Sequence, residues 1–233
     1  MTKLLTIAVD GPVGAGKSTV SDAVATRLGI LHLDTGAMYR AAGLAVSRKG
    51  ICGNDEAAVT AAVAQADISV RYEDGKQITL LDGEDVSLAI RTQEAGGMAS
   101  AVSRFPGVRR QMVYLQQQMA KTTPMLLDGR DIGTVVLTDA PVKIYLTAAP
   151  EARALRRLKQ LEEKGETADF ETILAEVNAR DRQDMNRETD PLRQAEDAVL
   201  VDSSSLSFEE TVETILRIVE DKTGVSARKG ADA

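Results

Sequence analysis

Apolar residues in this 233-residue chain fall into short continuous runs separated by longer stretches of helical spacing. Leu4-Leu5-Thr6-Ile7-Ala8-Val9 has the length and continuity of a strand buried on both faces, and it ends in Asp10-Gly11. From Lys17 to Leu28, Val20, Ala23, Val24 and Leu28 recur at helical spacing, and Gly29 closes the helix. Ile30-Leu31-His32-Leu33 reads as a second short strand, followed by a helix from about Ala37 to Arg48. Met125-Leu126-Leu127, Val142-Lys143-Ile144-Tyr145-Leu146 and Val199-Leu200-Val201 are further buried-strand candidates. Helical stretches over 106–120, 150–164, 170–186 and 207–221 separate or follow them. This alternation predicts an α/β fold, a doubly wound parallel five-stranded sheet flanked by helices.

One region breaks the rhythm. Between about Asp67 and Ile90, Ile68–Tyr72 and Gln77–Leu81 flank Glu73-Asp74-Gly75-Lys76, and an Asp-Gly pair between alternating strands signals a hairpin. An antiparallel piece has no place in a parallel sheet, so 67–90 is expected to be an inserted subdomain, with an outer bound near 120. The core is then 1–66 with 91–224, including a helical lid at about 153–166, and 225–233 is expected to be a disordered tail.

Composition narrows the setting. Hydrophobic residues at 43% and charged residues at 27% fit a globular protein, and no apolar run is long enough to cross a membrane. The N-terminus lacks the apolar core and cleavage site of a secretory signal. With a single cysteine, Cys52, expected to be half-buried, an internal disulfide is excluded and a reducing cytoplasm is expected. His32 is expected to be a strand residue, and one His with one Cys cannot build a zinc site of those ligands. A net charge of −7 argues against nucleic acid, whereas local arginine clusters around 104–110, 153–157 and 180–187 suit small anions.

The chemistry begins at Gly11-Pro12-Val13-Gly14-Ala15-Gly16-Lys17-Ser18, a complete G-x-x-x-x-G-K-[ST] between strand and helix. Its glycines let backbone N–H groups curl around phosphate oxygens at the positive end of a helix. Lys17 would reach the β- and γ-phosphates, and the Ser18 hydroxyl would ligate Mg²⁺. Guanine reading through Asn-Lys-x-Asp is excluded, because no Asn is followed by Lys. Asp34-Thr35-Gly36-Ala37-Met38-Tyr39-Arg40 starts at the carboxyl end of the second strand, where ligands gather in this architecture, though a helix cap with a surface arginine explains it equally well. Asp128-Gly129-Arg130-Asp131 ends another strand on the same rim. Arg180, Asp184 and Arg187 share one helix face, and Arg153, Arg156 and Arg157 crowd the preceding helix. Either set could be surface ion pairing or an arginine lid over phosphate groups.

The ordered series resembles the bacterial cytidylate kinases. It runs Asp10-Gly-Pro-x-Gly-Ala-Gly-Lys-Ser, Leu33-Asp-Thr-Gly-Ala-Met-Tyr-Arg, Leu81-Asp-Gly-Glu-Asp-Val, Ile90-Arg-Thr-Gln-Glu and Phe105-Pro-x-Val-Arg. It continues with Asp128-Gly-Arg-Asp-Ile-Gly-Thr-Val-Val, Asp139-Ala-Pro-Val-Lys-Ile-Tyr-Leu and Glu176-x-x-x-Arg-Asp-x-x-Asp-x-x-Arg. The resemblance spans residue 5 to about 220; Val13 and Thr35 are small departures from its usual residues. It implies transfer of the γ-phosphoryl group of ATP to CMP or dCMP. Thr35, Arg109 and Asp184 would read the cytosine, with Tyr39 packed in the same pocket. Arg40, Arg130 and Arg187 would hold the CMP phosphate, Arg180 the transferring group, and Asp131 would lie by the ribose. Lys17, Arg130, Asp128 and Arg180 would be catalytic, with Asp128 near the magnesium. ATP would be bound by Gly11 through Ser18, Thr19, and the lid arginines Arg153 and Arg157. The partners implied are ATP and CMP or dCMP, in a monomer without nucleic acid or membrane. Two rivals share the phosphate loop: a kinase for another small metabolite, such as the alcohol shikimate, and a non-enzymatic ATP-binding module.

Overall fold

The computed structural model describes residues 4–163 and 165–227. In chain order the elements are β1 Thr6–Asp10, α1 Lys17–Leu28, β2 Leu31–Asp34, α2 Thr35–Arg48, α3 Glu56–Gln65, β3 Ile68–Glu73, β4 Lys76–Leu81 and β5 Glu84–Asp85. They continue with a 3₁₀ turn at Ala89–Arg91, α4 Gln93–Val102, α5 Pro106–Thr122, β6 Met125–Gly129 and a π-helical turn at Ile132–Val136. The chain finishes with β7 Val142–Thr147, α6 Pro150–Glu163, α7 Phe170–Asn186, β8 Val199–Asp202 and α8 Phe208–Thr223. Five strands form the parallel sheet in the order β2-β6-β1-β7-β8, and β3-β4-β5 form a separate antiparallel sheet. The expected α/β architecture is therefore present. Among the described residues, no helix is long and apolar enough to cross a membrane.

The described residues fall into two compact units, one built on Leu31–Met125 and the other on Leu5–Ile30 with Leu126 onward. In the second unit, Ile7 pairs with Val142 and Val9 with Ile144, while Ile144 pairs with Val199. The apolar residues that make these strands continuous also make the core. Ile7, Val9, Leu126, Val142, Ile144 and Leu146 are buried together with Val20, Val24 and Leu28 of α1 and Val212, Ile215 and Val219 of α8. Burying side chains of this size stabilises by roughly 1.5–3 kcal/mol each. A smaller cluster of Ala154, Ile173 and Val177 joins α6 to α7. The stretch expected to form a lid is α6 through Glu163 and the turn after it; Lys164 lies outside the described residues.

In the first unit the hairpin forms as its turn chemistry requires. Glu73 pairs with Lys76, and Asp74 and Gly75 both take positive φ, 49° and 76°, the geometry that matches strand twist. Tyr72 Oη donates to the carbonyl of His32, 3.0 Å away, and the Asp34 N–H donates to Gln77 Oε1 at 2.7 Å. These bonds tie the hairpin to β2 and to the start of α2. His32 is a buried strand residue, as expected. Two helices, α3 and α4, stand where the sequence pattern gave no expectation. Each has an identifiable cap: Asp55 accepts from the Ala58 N–H, and Thr92 accepts from the Ala95 N–H. Cys52 departs from expectation: it is exposed, because it lies in the turn after α2 outside any packed element. Helix α8 ends at Gly224 in the left-handed conformation, and residues 228–233 of the expected tail lie outside the described residues.

Candidate active site

The phosphate loop links β1 to α1 and is shaped by glycines that no other residue replaces. Gly11 has φ 150°, and a Cβ there would fall 1.9 Å from the Leu146 carbonyl oxygen of β7. Gly16 caps α1 in the left-handed conformation, φ 82°, without any side-chain cap. The first-turn amides of α1 are thereby left to an anion at the positive end of the helix. Lys17 is 6% exposed and donates from Nζ to the Pro12 carbonyl at 2.8 Å, curling its side chain back over the loop. Burial, and then the neighbouring Arg130, push its pKa down to about 7.

Ser18 Oγ donates to Asp128 Oδ2 at 2.9 Å, and Asp128 is buried at the carboxyl end of β6. A hydroxyl paired with a carboxylate oxygen is an oxygen-only donor set, which fits a hard divalent cation such as magnesium. Asp10, the last residue of β1, plays a part that the motif reading did not assign. Its Oδ1 and Oδ2 accept from the Ile132 and Gly133 N–H groups, both at 2.7 Å. Burial raises its pKa to about 6 even though the two backbone donors oppose the shift. Asp10 therefore pins the turn after β6, and with it Arg130 and Asp131, to the base of the phosphate loop. Asp10→Asn retains one acceptor but presents an NH₂ to the other N–H. It is expected to lower stability by roughly 1–3 kcal/mol, read as a fall in the urea midpoint.

On the same rim, Arg130 Nε donates to Asp184 Oδ2 at 2.8 Å, and Arg187 Nη2 to Asp131 Oδ1 at 3.3 Å. Arg187 Nε also donates to the Asp190 carbonyl at 2.6 Å. Burial would raise the Asp184 carboxyl, but Arg130, Arg180 and Arg187 outweigh it and hold it below the ordinary range. The structure thus brings Lys17, Ser18, Asp128, Arg130, Asp131, Asp184 and Arg187 into one half-buried charged cluster, with Arg180 beside Asp184. The first unit holds the expected residues Thr35, Tyr39, Arg40 and Arg109. Thr35 is buried and Arg40 half-buried on α2. Arg109 of α5 is 1% exposed, with its guanidinium 5.7 Å from the Tyr39 ring centre and Nη1 donating to the Ser103 carbonyl. The Arg109 guanidinium over the Tyr39 ring is a cation–π contact that joins α5 to α2.

The lid arginines separate. Arg157 is exposed on α6. Arg153 is 3% exposed, and all three of its nitrogens are engaged: Nε with the Ala148 carbonyl, Nη1 with the Val13 carbonyl and Nη2 with Asp181 Oδ2. Its guanidinium is committed to these three acceptors, and the side chain lines a cavity of about 430 Å³ with Pro12, Ala148 and Asp181. Arg156, to which no role was assigned, reaches Ser203 with both Nη atoms. It lines a cavity of about 310 Å³ with Gly16, Thr19, Lys159, Leu206 and Phe208. Only the fold reveals this cavity, because its walls come from three distant stretches of chain, 15–20, 156–163 and 203–211.

The comparisons agree with this geometry. The family model described as cytidylate kinase matches residues 7–221. The chain is 47% identical over 216 residues to the cytidylate kinase of Caldicellulosiruptor bescii, covering 93% of this chain and 96% of that protein. It is 44% identical over 227 residues to the cytidylate kinase of Pasteurella multocida, covering 97% and 100%. Among solved structures, an uncharacterized protein from Eubacterium ventriosum shares the fold at TM-score 0.52 with 10% identity, over 93% of this chain and 98% of that one. With its phosphate loop, its Asp-Gly-Arg-Asp turn and its arginine-bearing helix all placed on one rim, the chain belongs to the cytidylate kinase family.

Proposed function

We propose that this protein transfers the γ-phosphoryl group of ATP to CMP or dCMP, giving ADP and CDP or dCDP. The observation that carries the reading is the cluster of cations beside the phosphate loop: buried Lys17 lies next to Arg130, and Arg130 pairs with Asp184, which Arg180 and Arg187 also face. A donor alone needs the loop; only an anionic acceptor needs this second set of cations beside it.

A phosphate oxygen of CMP attacks the γ-phosphorus in line, and the bond from that phosphorus to the β,γ-bridging oxygen breaks as ADP leaves. The nucleophile is already anionic, so no general base is required. Lys17 and the loop amides hold the β- and γ-phosphates, while Arg130, Arg187 and Arg40 hold the CMP phosphate. Arg180 faces the charge spread over the transferring group. Thr35, Arg109 and Asp184 hydrogen-bond the cytosine, Tyr39 packs against it, and Asp131 lies by the ribose. Ser18 and Asp128 would hold Mg²⁺, which supplies charge neutralisation on the β- and γ-oxygens when bound with ATP. The donor base fits the cavity beside Gly16 and Thr19, and Arg157 reaches the phosphates from the lid. The hairpin subdomain at 67–90 belongs to the acceptor side. The cytoplasm is the fitting compartment and the monomer the fitting state.

The test is ADP release from Mg²⁺·ATP with CMP, dCMP, UMP, AMP, GMP and dTMP offered separately. Fast turnover with CMP and dCMP and little with purines is expected. A preference for any other acceptor overturns the substrate assignment while leaving the phosphate loop in place.

A further inference from the structure

Arg153 and Asp181 lie outside the set that the proposed reaction uses at its reacting atoms. Yet they form a buried ion pair, Nη2 to Oδ2 at 2.6 Å, directly behind the phosphate loop. The same guanidinium donates to the Val13 carbonyl in the middle of the loop at 2.8 Å, and to the Ala148 carbonyl after β7 at 2.9 Å. Gly14 packs here too: a Cβ on it would sit 3.4 Å from Arg153 Cβ. Three acceptors in three directions demand a planar fork of donors, a geometry that lysine does not offer. Asp181 is fixed in turn by α7, one residue after Arg180 and three before Asp184. Its second oxygen, Oδ1, is buried without a hydrogen-bond partner among the described residues, so Arg153 is the group that holds the carboxylate.

We infer that Arg153 and Asp181 are positioning residues: they brace the Val13 carbonyl so that the loop amides point at the triphosphate, and they lock the loop in register with the helix carrying Arg180 and Asp184. A loop carbonyl that swings away carries the following amide with it, because the peptide unit is rigid. The brace thus acts first on ATP and on transfer geometry, and much less on CMP binding. The inference rests on the reading of the loop as the ATP site.

Two variants test it, Arg153→Lys and Asp181→Asn, with Lys17→Met as the control for the loop itself. ATP and CMP binding are each measured by calorimetry on the unliganded enzyme, alongside kcat and the melting temperature. Arg153→Lys keeps the charge but loses two of the three directed bonds. It is expected to weaken ATP roughly tenfold or more and to lower kcat, with the CMP dissociation constant within about twofold of wild type. Asp181→Asn keeps an acceptor for Arg153 and is expected to move the same quantities in the same direction by less. A merely structural pair would lower the melting temperature and leave the ATP and CMP constants in their wild-type ratio, and that result overturns the brace. If Arg153→Lys does not fold, Asp181→Asn decides by the same ratio. If Lys17→Met binds ATP as well as wild type, the loop reading itself fails; if it does not and Arg153→Lys binds normally, only the brace fails.

Discussion

Replacing Lys17 by methionine is expected to lower kcat by roughly 10³-fold or more, while leaving the unliganded protein at least as resistant to unfolding as wild type. The two effects have one cause. Lys17 is buried beside Arg130, and burial first, then that neighbouring cation, depress its pKa to about 7. Desolvating an ammonium is unfavourable in the empty protein and becomes favourable only when a triphosphate supplies the opposing charge. Methionine fills the same space without that cost but offers nothing to the γ-phosphate. The pH dependence has a definite sign. Between about 7 and the ordinary 10.5, the unfolded chain carries a proton on Lys17 that the folded chain does not. Stability of the unliganded protein therefore rises with pH across that window, and Lys17→Met removes this part of the slope. ATP restores the charge, so at pH 8 its binding should take up close to one proton, by order-of-magnitude reckoning. Calorimetry in buffers of different ionisation enthalpy reads that number. Uptake that persists unchanged in Lys17→Met would place the titrating group elsewhere.

Arg130→Ala is expected to raise the KM for CMP by roughly 10²-fold, with a smaller change in the KM for ATP. It should also destabilise the fold by roughly 3–5 kcal/mol, since it removes the hydrogen-bonded partner of the buried Asp184 carboxylate. The pairing of Arg130 Nε with Asp184 Oδ2 makes the two losses separable. Arg130→Met combined with Asp184→Asn removes both charges at once and is expected to recover most of the melting temperature. CMP use should remain impaired, because neither the phosphate donor nor the base-reading carboxylate returns. Arg187→Ala, which releases Asp131, should weaken CMP in the same manner. Wild-type CMP kinetics in both Arg130→Ala and Arg187→Ala would defeat the acceptor-site assignment.

Much of this was legible before folding because it is local. The phosphate loop declares itself through glycines that β1 and α1 require on either side, and Gly11 shows why: any side chain there meets the Leu146 carbonyl. Asp74-Gly75 announces the hairpin, since both residues must take positive φ. Buried runs such as Ile7–Val9 and Val142–Leu146 are continuous in sequence because both faces of a parallel strand are covered. Helices α3 and α4 were missed for an equally local reason. Alanine-rich Glu56–Gln65 and the Gly-Gly-bearing Gln93–Val102 lack a strong apolar stripe, leaving only the caps Asp55 and Thr92 as signals.

The class of chemistry is already written in the chain: a phosphate loop, an ordered series of family motifs and a set of arginines in register on helices. Sequence alone could not say which arginine does what, because a guanidinium looks the same whether it faces a ligand or a carbonyl. Tertiary structure decided that Arg153 turns inward to Val13 and Asp181, and that Arg156 lines a cavity with Ser203. It also decided that Asp10 holds the backbone of Ile132 and Gly133, 122 and 123 residues along the chain. The spacing of a motif follows from the backbone geometry of a few neighbouring residues. The role of a buried charge is set by partners that the fold brings from far away in sequence, since a desolvated charge must be satisfied by whatever lies within hydrogen-bond reach.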